Sequence, residues 1–303
     1  MHPIVLLLVI LLVVGVLVFR RRRPSIAATD LDALELRGVD AALEQIATQG
    51  HDRVLWALAF VDDEPRLDIH AVANYMAKKW KWKEAALVTE GEASLQRKIT
   101  HGEMQIYLEP VKATFPHDAD NDGVAVDAGE AKNSILVTSV SNHGGVPTSL
   151  WLSQGVLALT NICPQVTSVY WMSSQQTFSR NQLKAKLGIN LSKRWPTDVW
   201  VSVSATRSEK GRSDGHTLGL ASMGGTEFEA KDAPESPKEL RKRLAGLADY
   251  VICKYGLIYN GDTVGIDCLE RIRVKKQPSE TGLKGWVFQL HYEKPSPDSG
   301  WER

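Results

Sequence analysis

The chain has 303 residues, 36 of them Lys or Arg and 36 Asp or Glu, so its formal charge at pH 7 is zero. That balance removes the overall positive field on which nucleic-acid binding by bulk charge depends. The three cysteines, Cys163, Cys253 and Cys268, are too few and too widely spaced for a disulfide framework or a CxxC metal site, and they suit a reducing compartment.

The N-terminus is apolar from Pro3 to Phe19, and Arg20, Arg21, Arg22 and Arg23 follow at once. A helix needs roughly 17–25 mostly apolar residues to cross the hydrocarbon core. Residues 3–19 therefore read as one short membrane span, with the lipid bilayer as its partner, and 1–23 as an anchor with a basic flank. The positive-inside rule keeps the arginines and all that follows in the cytoplasm. The expectation is a single-pass protein of the inner (cytoplasmic) membrane, with Met1 outside. A cleaved signal peptide is the alternative, although signal peptides carry their charge ahead of the apolar stretch.

Residues 24–29 form a polar linker, and a first half covers 30–108. Asp30 caps a helix to about residue 48, with Leu34, Val39, Leu43 and Ile46 near one face and Gly50 as its stop. Residues 54–61 (VLWALAFV) are a continuous apolar run of strand length. Asp68 caps a helix through about Trp80, with Ile69, Val72, Ala73 and Met76 inward. Short strands follow at 85–88 and 98–108. In Lys78-Lys79-Trp80-Lys81-Trp82-Lys83 bases interleave with aromatics, as in single-strand binders. At the end of an amphipathic helix the same run is a cationic last turn with snorkelling lysines, and no nucleic acid is expected.

Residues 109–133 form an acidic connector. Its Asp118-Ala119-Asp120-Asn121-Asp122-Gly123 matches the first half of an EF-hand calcium loop. The twelfth position is Gly129, where a bidentate Glu is needed, so a solvated linker is the favoured reading and no metal or cofactor is expected.

A second half covers 134–294. Strands are expected at 134–140, 166–172 and 199–205 (VWVSVSA), with helices at 149–163 and 180–187. A charged loop, 206–215, leads to extended segments at 216–222 and 227–230. Ser236-Pro237-Lys238-Glu239 is a capping box with Pro at the first helical position. The helix it opens carries Leu240, Leu244, Leu247, Val251 and Ile252 as its stripe and ends at Gly256. Asn260-Gly261 signals a turn between strands, 263–274 and 285–292 follow as strands, and 295–303 is a polar tail. The order strand-helix-strand-strand begins near Val54 and again near Ser134. The fold class is therefore α+β: an N-terminal transmembrane helix followed by an α/β sandwich, the repeated order suggesting two related halves.

The densest polar stretch bordered by strands is 206–227. Its Thr206, Arg207, His216, Thr217 and Glu227 are the candidate binding residues, since an Arg, a His and a Glu together serve anion recognition or acid–base work. A solvated hairpin is the plain alternative. There is no nucleophile–base spacing, GxSxG or phosphate-loop signature.

Thr206-Arg207, then Gly215-His216-Thr217-Leu218-Gly219-Leu220, then Gly225-Thr226-Glu227-Phe228-Glu229 resemble the central motif of an uncharacterised bacterial family, domain of unknown function 4261. Val169-Tyr170-Trp171, Ala248-Asp249-Tyr250-Val251 and Gly261-Asp262-Thr263-Val264-Gly265 also look like its pattern, which adds Asp262 to the candidates. The resemblance covers about 133–290 and departs where the family has Pro and this chain has Thr226. It implies an α+β fold and a bacterial source, and it carries no activity. The expectation from the whole sequence is a membrane-anchored cytoplasmic module that binds an unidentified protein. The alternatives are an enzyme using Arg207, His216 and Glu227, or a bacterial immunity or stress factor.

Overall fold

An unbroken apolar run can be buried on both faces of a sheet, and 54–61 is such a run. In the computed structural model it is the spine of strand β1 (Arg53–Val61). Residues 53–84, 86–90, 97–113, 120–121, 132–254, 256–265 and 270–292 are described. The first sheet also contains β2 (Leu87–Thr89), β3 (Lys98–His101), β4 (Met104–Ala113), β5 (Asp120–Asn121), β6 (Lys132–Ser141), β7 (Val166–Trp171) and β8 (Gln176–Ser179). Its eight strands lie in the order β2-β3-β4-β6-β1-β7-β8-β5. Helices α1 (Ile69–Trp80), α2 (Gly145–Ile162) and α3 (Arg180–Lys193) join Leu55, Ala57, Ala59, Ile106, Ile135, Val137 and Trp171 in one core, so all three cover the same face.

The second sheet contains β9 (Ser202–Arg207), β10 (Ser213–Leu218), β11 (Phe228–Ala233), β12 (Thr263–Val264), β13 (Ile272–Pro278) and β14 (Trp286–Tyr292), in the order β12-β13-β14-β11-β10-β9. Its pairs are antiparallel except β11 with β14, which run parallel over 228–230 and 288–290. Helix α5 (Pro237–Cys253) makes that crossover and packs on β9 and β10. The short helix α4 (Thr197–Trp200) links the sheets: the Trp200 indole is fully buried and donates to Ser153 Oγ of α2 at 2.8 Å.

The caps form as the sequence dictates. Asp68 Oδ1 accepts from the Ala71 amide at 2.8 Å. Ser236 Oγ accepts from the Glu239 amide at 3.3 Å while Glu239 Oε2 accepts from the Ser236 amide at 3.0 Å. Other boundaries shift for local reasons. The strand expected over 98–108 is the hairpin β3–β4, because Gly102 turns the chain at φ 60°. Helix α2 starts four residues early: Pro147 lies in its first turn, where a missing N–H leaves no bond unmade. Val199 and Trp200, expected in a strand, belong to α4.

The fold-class expectation needs two corrections. Among the described residues no helix is long and apolar enough to cross a membrane, so the transmembrane, single-pass element is replaced by a mixed α+β fold with two sheets. The longest described helix, α2, has 18 residues and is buried within the protein from Trp151 to Thr160. The stretch 3–19, Arg20 to Arg23 and the helix expected over 30–48 lie outside the described residues. The second correction concerns the halves. Strand β6, from the supposed second half, is inserted between β4 and β1 of the first, so the sheets do not follow the 109–133 boundary. Of the calcium-like run, Asp120 and Asn121 pair with Gln176 and Thr177 as a short strand; the rest lies outside the described residues.

Candidate functional site

The candidates fall on three parts of the second sheet. His216 sits in β10 opposite Ser204 of β9 and Glu229 of β11, and Thr206 is opposite Asp214. Alternation along β10 turns Gly215 toward α5, where an added Cβ would lie 3.1 Å from both Leu240 and Leu244, and so turns His216 to the other face. Thr206 and Arg207 are exposed on edge strand β9. Asp262 precedes β12 at the opposite edge. Five strand spacings, about 24 Å at the usual interstrand distance, separate it from β9, so the six candidates do not converge on one cleft.

Glu227 is 6% exposed and is a structural clamp. Its Oε1 accepts from the Gly219 and Ala221 amides, both at 2.8 Å. Its Oε2 accepts from Thr217 Oγ1 at 2.7 Å, and that hydroxyl accepts from the Phe228 amide at 2.8 Å. The carboxylate thus holds the start of the 3-10 turn Ala221–Met223 against β11, as a capping residue holds a helix N-terminus. Burial pushes the Glu227 carboxyl above its ordinary value, against the opposing bonds from Ala221, Thr217 and Gly219.

Glu229 does comparable work for another loop. Burial opposes its ionisation, but bonds from Ser279 Oγ (2.5 Å), the Glu280 amide (2.9 Å) and Thr281 Oγ1 (2.8 Å) outweigh it and hold the carboxyl below its ordinary value. The loop after β13 is thereby fastened to β11. His216 is held below its usual value by burial, with Glu229 pulling the other way. His216 thus stands opposite Ser204 and beside a carboxylate already committed to a loop. Among the described residues no group of three or more His, Cys, Asp or Glu is arranged to hold a metal ion.

The concave feature of this region lies along α5. A groove of about 980 Å³ runs between α5 and segment 257–265, with Leu247, Tyr250, Leu257, Ile258 and Val264 among its lining residues. Tyr250 (44% exposed), Leu257 (72%) and neighbouring Tyr259 are three of the few large apolar side chains left open to solvent. Asp262 lines the groove but is committed to its own turn, accepting from the Tyr259 amide at 2.7 Å. At one end Arg243, with a side chain only 8% exposed, forks onto Glu270 at 2.8 and 2.9 Å and also bonds Glu235. Tyr292 donates to the other oxygen of Glu235 at 2.6 Å. Burial disfavours the charged guanidinium, but the two carboxylates more than offset it and raise its pKa. Burial and Glu235 also raise that of Tyr292, so both groups keep their protons.

Sequence reasoning missed Arg243, Glu235, Glu270 and Tyr292, and passed over Glu229. Signals were present. Glu227-Phe228-Glu229 alternates in a strand, which sends both carboxylates to the face opposite Phe228. Arg243 lies three residues after Leu240, beside the apolar stripe, where a cation needs a partner. No family model, no curated protein and no solved structure matches the chain. The resemblance to domain of unknown function 4261 accordingly stays an expectation drawn from short motifs.

Proposed function

We propose that this protein is a binding module, not an enzyme, and that the groove along α5 takes a short segment of a partner protein with apolar anchors flanked by Lys or Arg. The observation that carries this is an open apolar groove whose rim leaves Tyr250 and Leu257 exposed. Concave apolar surface with a few placed polar groups is the usual form of a binding site. The basic flanks follow from charge: four carboxylates (Glu235, Glu239, Asp262, Glu270) line the groove against two cations (Lys242, Arg243). Commitment of Glu227 and Glu229 to loop fastening supports a non-catalytic reading of the polar stretch.

The test is peptide selection on the full chain, followed by measured Kd values of the selected peptides against wild type, Leu257→Asp and Tyr250→Ala. Leu257 is so exposed that its replacement should leave the melting temperature in place. The expected result is a shared apolar-plus-basic pattern and at least a roughly tenfold loss of affinity in the Leu257→Asp variant, as for an anchor residue. Unchanged affinity in both variants, or selected peptides that are acidic, would refute the reading.

A further inference from the structure

Two features of the α5 groove decide what shape of segment it takes. The first is a gap in its helical wall. Gly246 lies in the middle of α5 and lines the groove, with Lys242 one turn before it and Tyr250 one turn after it on the same ridge. Glycine inside a helix is less favourable than alanine, and packing does not ask for it here: a Cβ at Gly246 would meet nothing within 4 Å. The missing side chain leaves a notch between Lys242 and Tyr250.

The second feature is an open sheet edge. Among the described residues β12 ends the second sheet and pairs with β13 alone. A bulge sets its start: Gly261, at φ 97°, donates to Val274 O at 2.7 Å, and the Val274 amide donates to Asp262 O at 2.8 Å. Bonded and non-bonded pairs alternate along an antiparallel ladder. Asp262 is bonded to Val274, so Thr263, opposite Arg273, is the non-bonded position, and its N–H and C=O point away from β13. Thr263 is exposed and lines the groove, as does Gly265, which has no side chain to block an approaching backbone.

We propose that the partner segment lies extended in this groove, added as a strand to the outer edge of β12, and that Gly246 is the residue that admits it; this rests on the binding reading given above. The segment's backbone bonds the Thr263 N–H and C=O, which turns alternate side chains toward Leu247, Tyr250 and Ile258. The excess of carboxylates over cations along the groove, four to two, sets Lys or Arg at the flanks of those apolar positions. An amphipathic helix is the other shape that fits a groove, but it bonds its own backbone and would cover both Thr263 groups without pairing them.

The tightest peptides selected on the full chain are the probe. Gly246→Leu enters open space and suits a helix better than glycine, so the melting temperature should hold or rise while the Kd of these peptides rises at least about tenfold. N-methylation of the peptide at one backbone position at a time should cost at least about tenfold at the position that donates to Thr263 C=O, and little at its two neighbours, whose N–H groups point the other way. Hydrogen exchange of the Thr263 amide should slow at least about tenfold at saturating peptide. An unchanged Kd in Gly246→Leu overturns the proposal. So does an N-methyl loss spread over every interior position, which marks a bound helix, and so does Thr263 exchange that saturating peptide leaves unmoved. That last measurement depends on no variant folding. Binding that ignores Leu257→Asp sinks the proposal and the binding reading together, whereas binding that depends on Leu257 with any of the three negative results sinks the extended mode alone.

Discussion

Replacing Glu227 with Ala should destabilise the protein by about 2–4 kcal/mol, on the usual penalty for buried donors left without acceptors. The carboxylate takes three bonds, from the Gly219 amide, the Ala221 amide and Thr217 Oγ1. Gly219 is buried and its amide would have no replacement; Ala221 is exposed and its amide can turn to water. The Thr217 hydroxyl keeps its bond from the Phe228 amide, and so loses less. Urea unfolding of the full chain at pH 7 measures the loss, and one under about 1 kcal/mol would show that the clamp is not what holds this turn. Glu227→Gln then tests the charge. A carboxyl raised on folding stabilises fully below its unfolded pKa, and this contribution is lost as pH rises through the folded value. The Gln variant has no such term, so its deficit relative to wild type should shrink with rising pH. A deficit that grows with pH would mean that the hydrogen bonds outweigh burial, and would refute the argument.

Four further outcomes follow from the same geometry. Glu229 is the opposite case: its depressed carboxyl contributes stability that is present above the ordinary glutamate value and lost as pH falls through the folded one. Melting curves from pH 6 downward should therefore fall more steeply for wild type than for Glu229→Gln. Gly145→Ala places a Cβ 2.2 Å from the Met223 backbone, so it should push α2 off the 3-10 turn and lower stability by roughly 1–3 kcal/mol, as overpacking does; an unchanged melting temperature would show that the contact relaxes freely. Arg243→Ala removes the guanidinium that joins Glu235 to Glu270 and should cost about 3 kcal/mol, discounted toward the low end of the buried-pair range because Glu270 is partly exposed. Tyr292→Phe, which removes one donor to Glu235, should cost only about 1 kcal/mol in the same denaturation assay.

The sequence was most readable where a local rule decides the outcome. The caps at Asp68 and Ser236 and the double-faced run at 54–61 need no knowledge of the rest of the chain. It misled where long-range contact decides. Trp200 alternates well enough for a strand, but its indole is claimed by Ser153, 47 residues away, and the backbone turns helical to deliver it. The insertion of β6 between β4 and β1 is invisible to any local pattern, and it defeats the reading of two consecutive halves. The candidate site shows the same division. Charge and strand context single out His216 and Glu227, but only the fold reveals that Glu227 faces two amides of its own loop and the Thr217 hydroxyl of β10. It also separates Asp262 from Arg207 by the width of a sheet.

The parallel pairing of β11 with β14 has a mechanical consequence. It is three residue pairs long and, among the described residues, is the only strand pairing between the β9–β11 meander and the β12–β14 meander, with Glu229 and the loop after β13 as a side-chain tie beside it. The second sheet is therefore two sheets in series, with a seam. What braces that seam lies beside it: Tyr292 of β14 reaches Glu235 just beyond β11, and Arg243 of α5 ties Glu235 to Glu270 ahead of β13. The groove runs along that brace. A segment seated there would touch α5 and the β12 side together, so its binding free energy would also resist parting of the meanders, and occupancy would be felt at the far end of the sheet as stiffness.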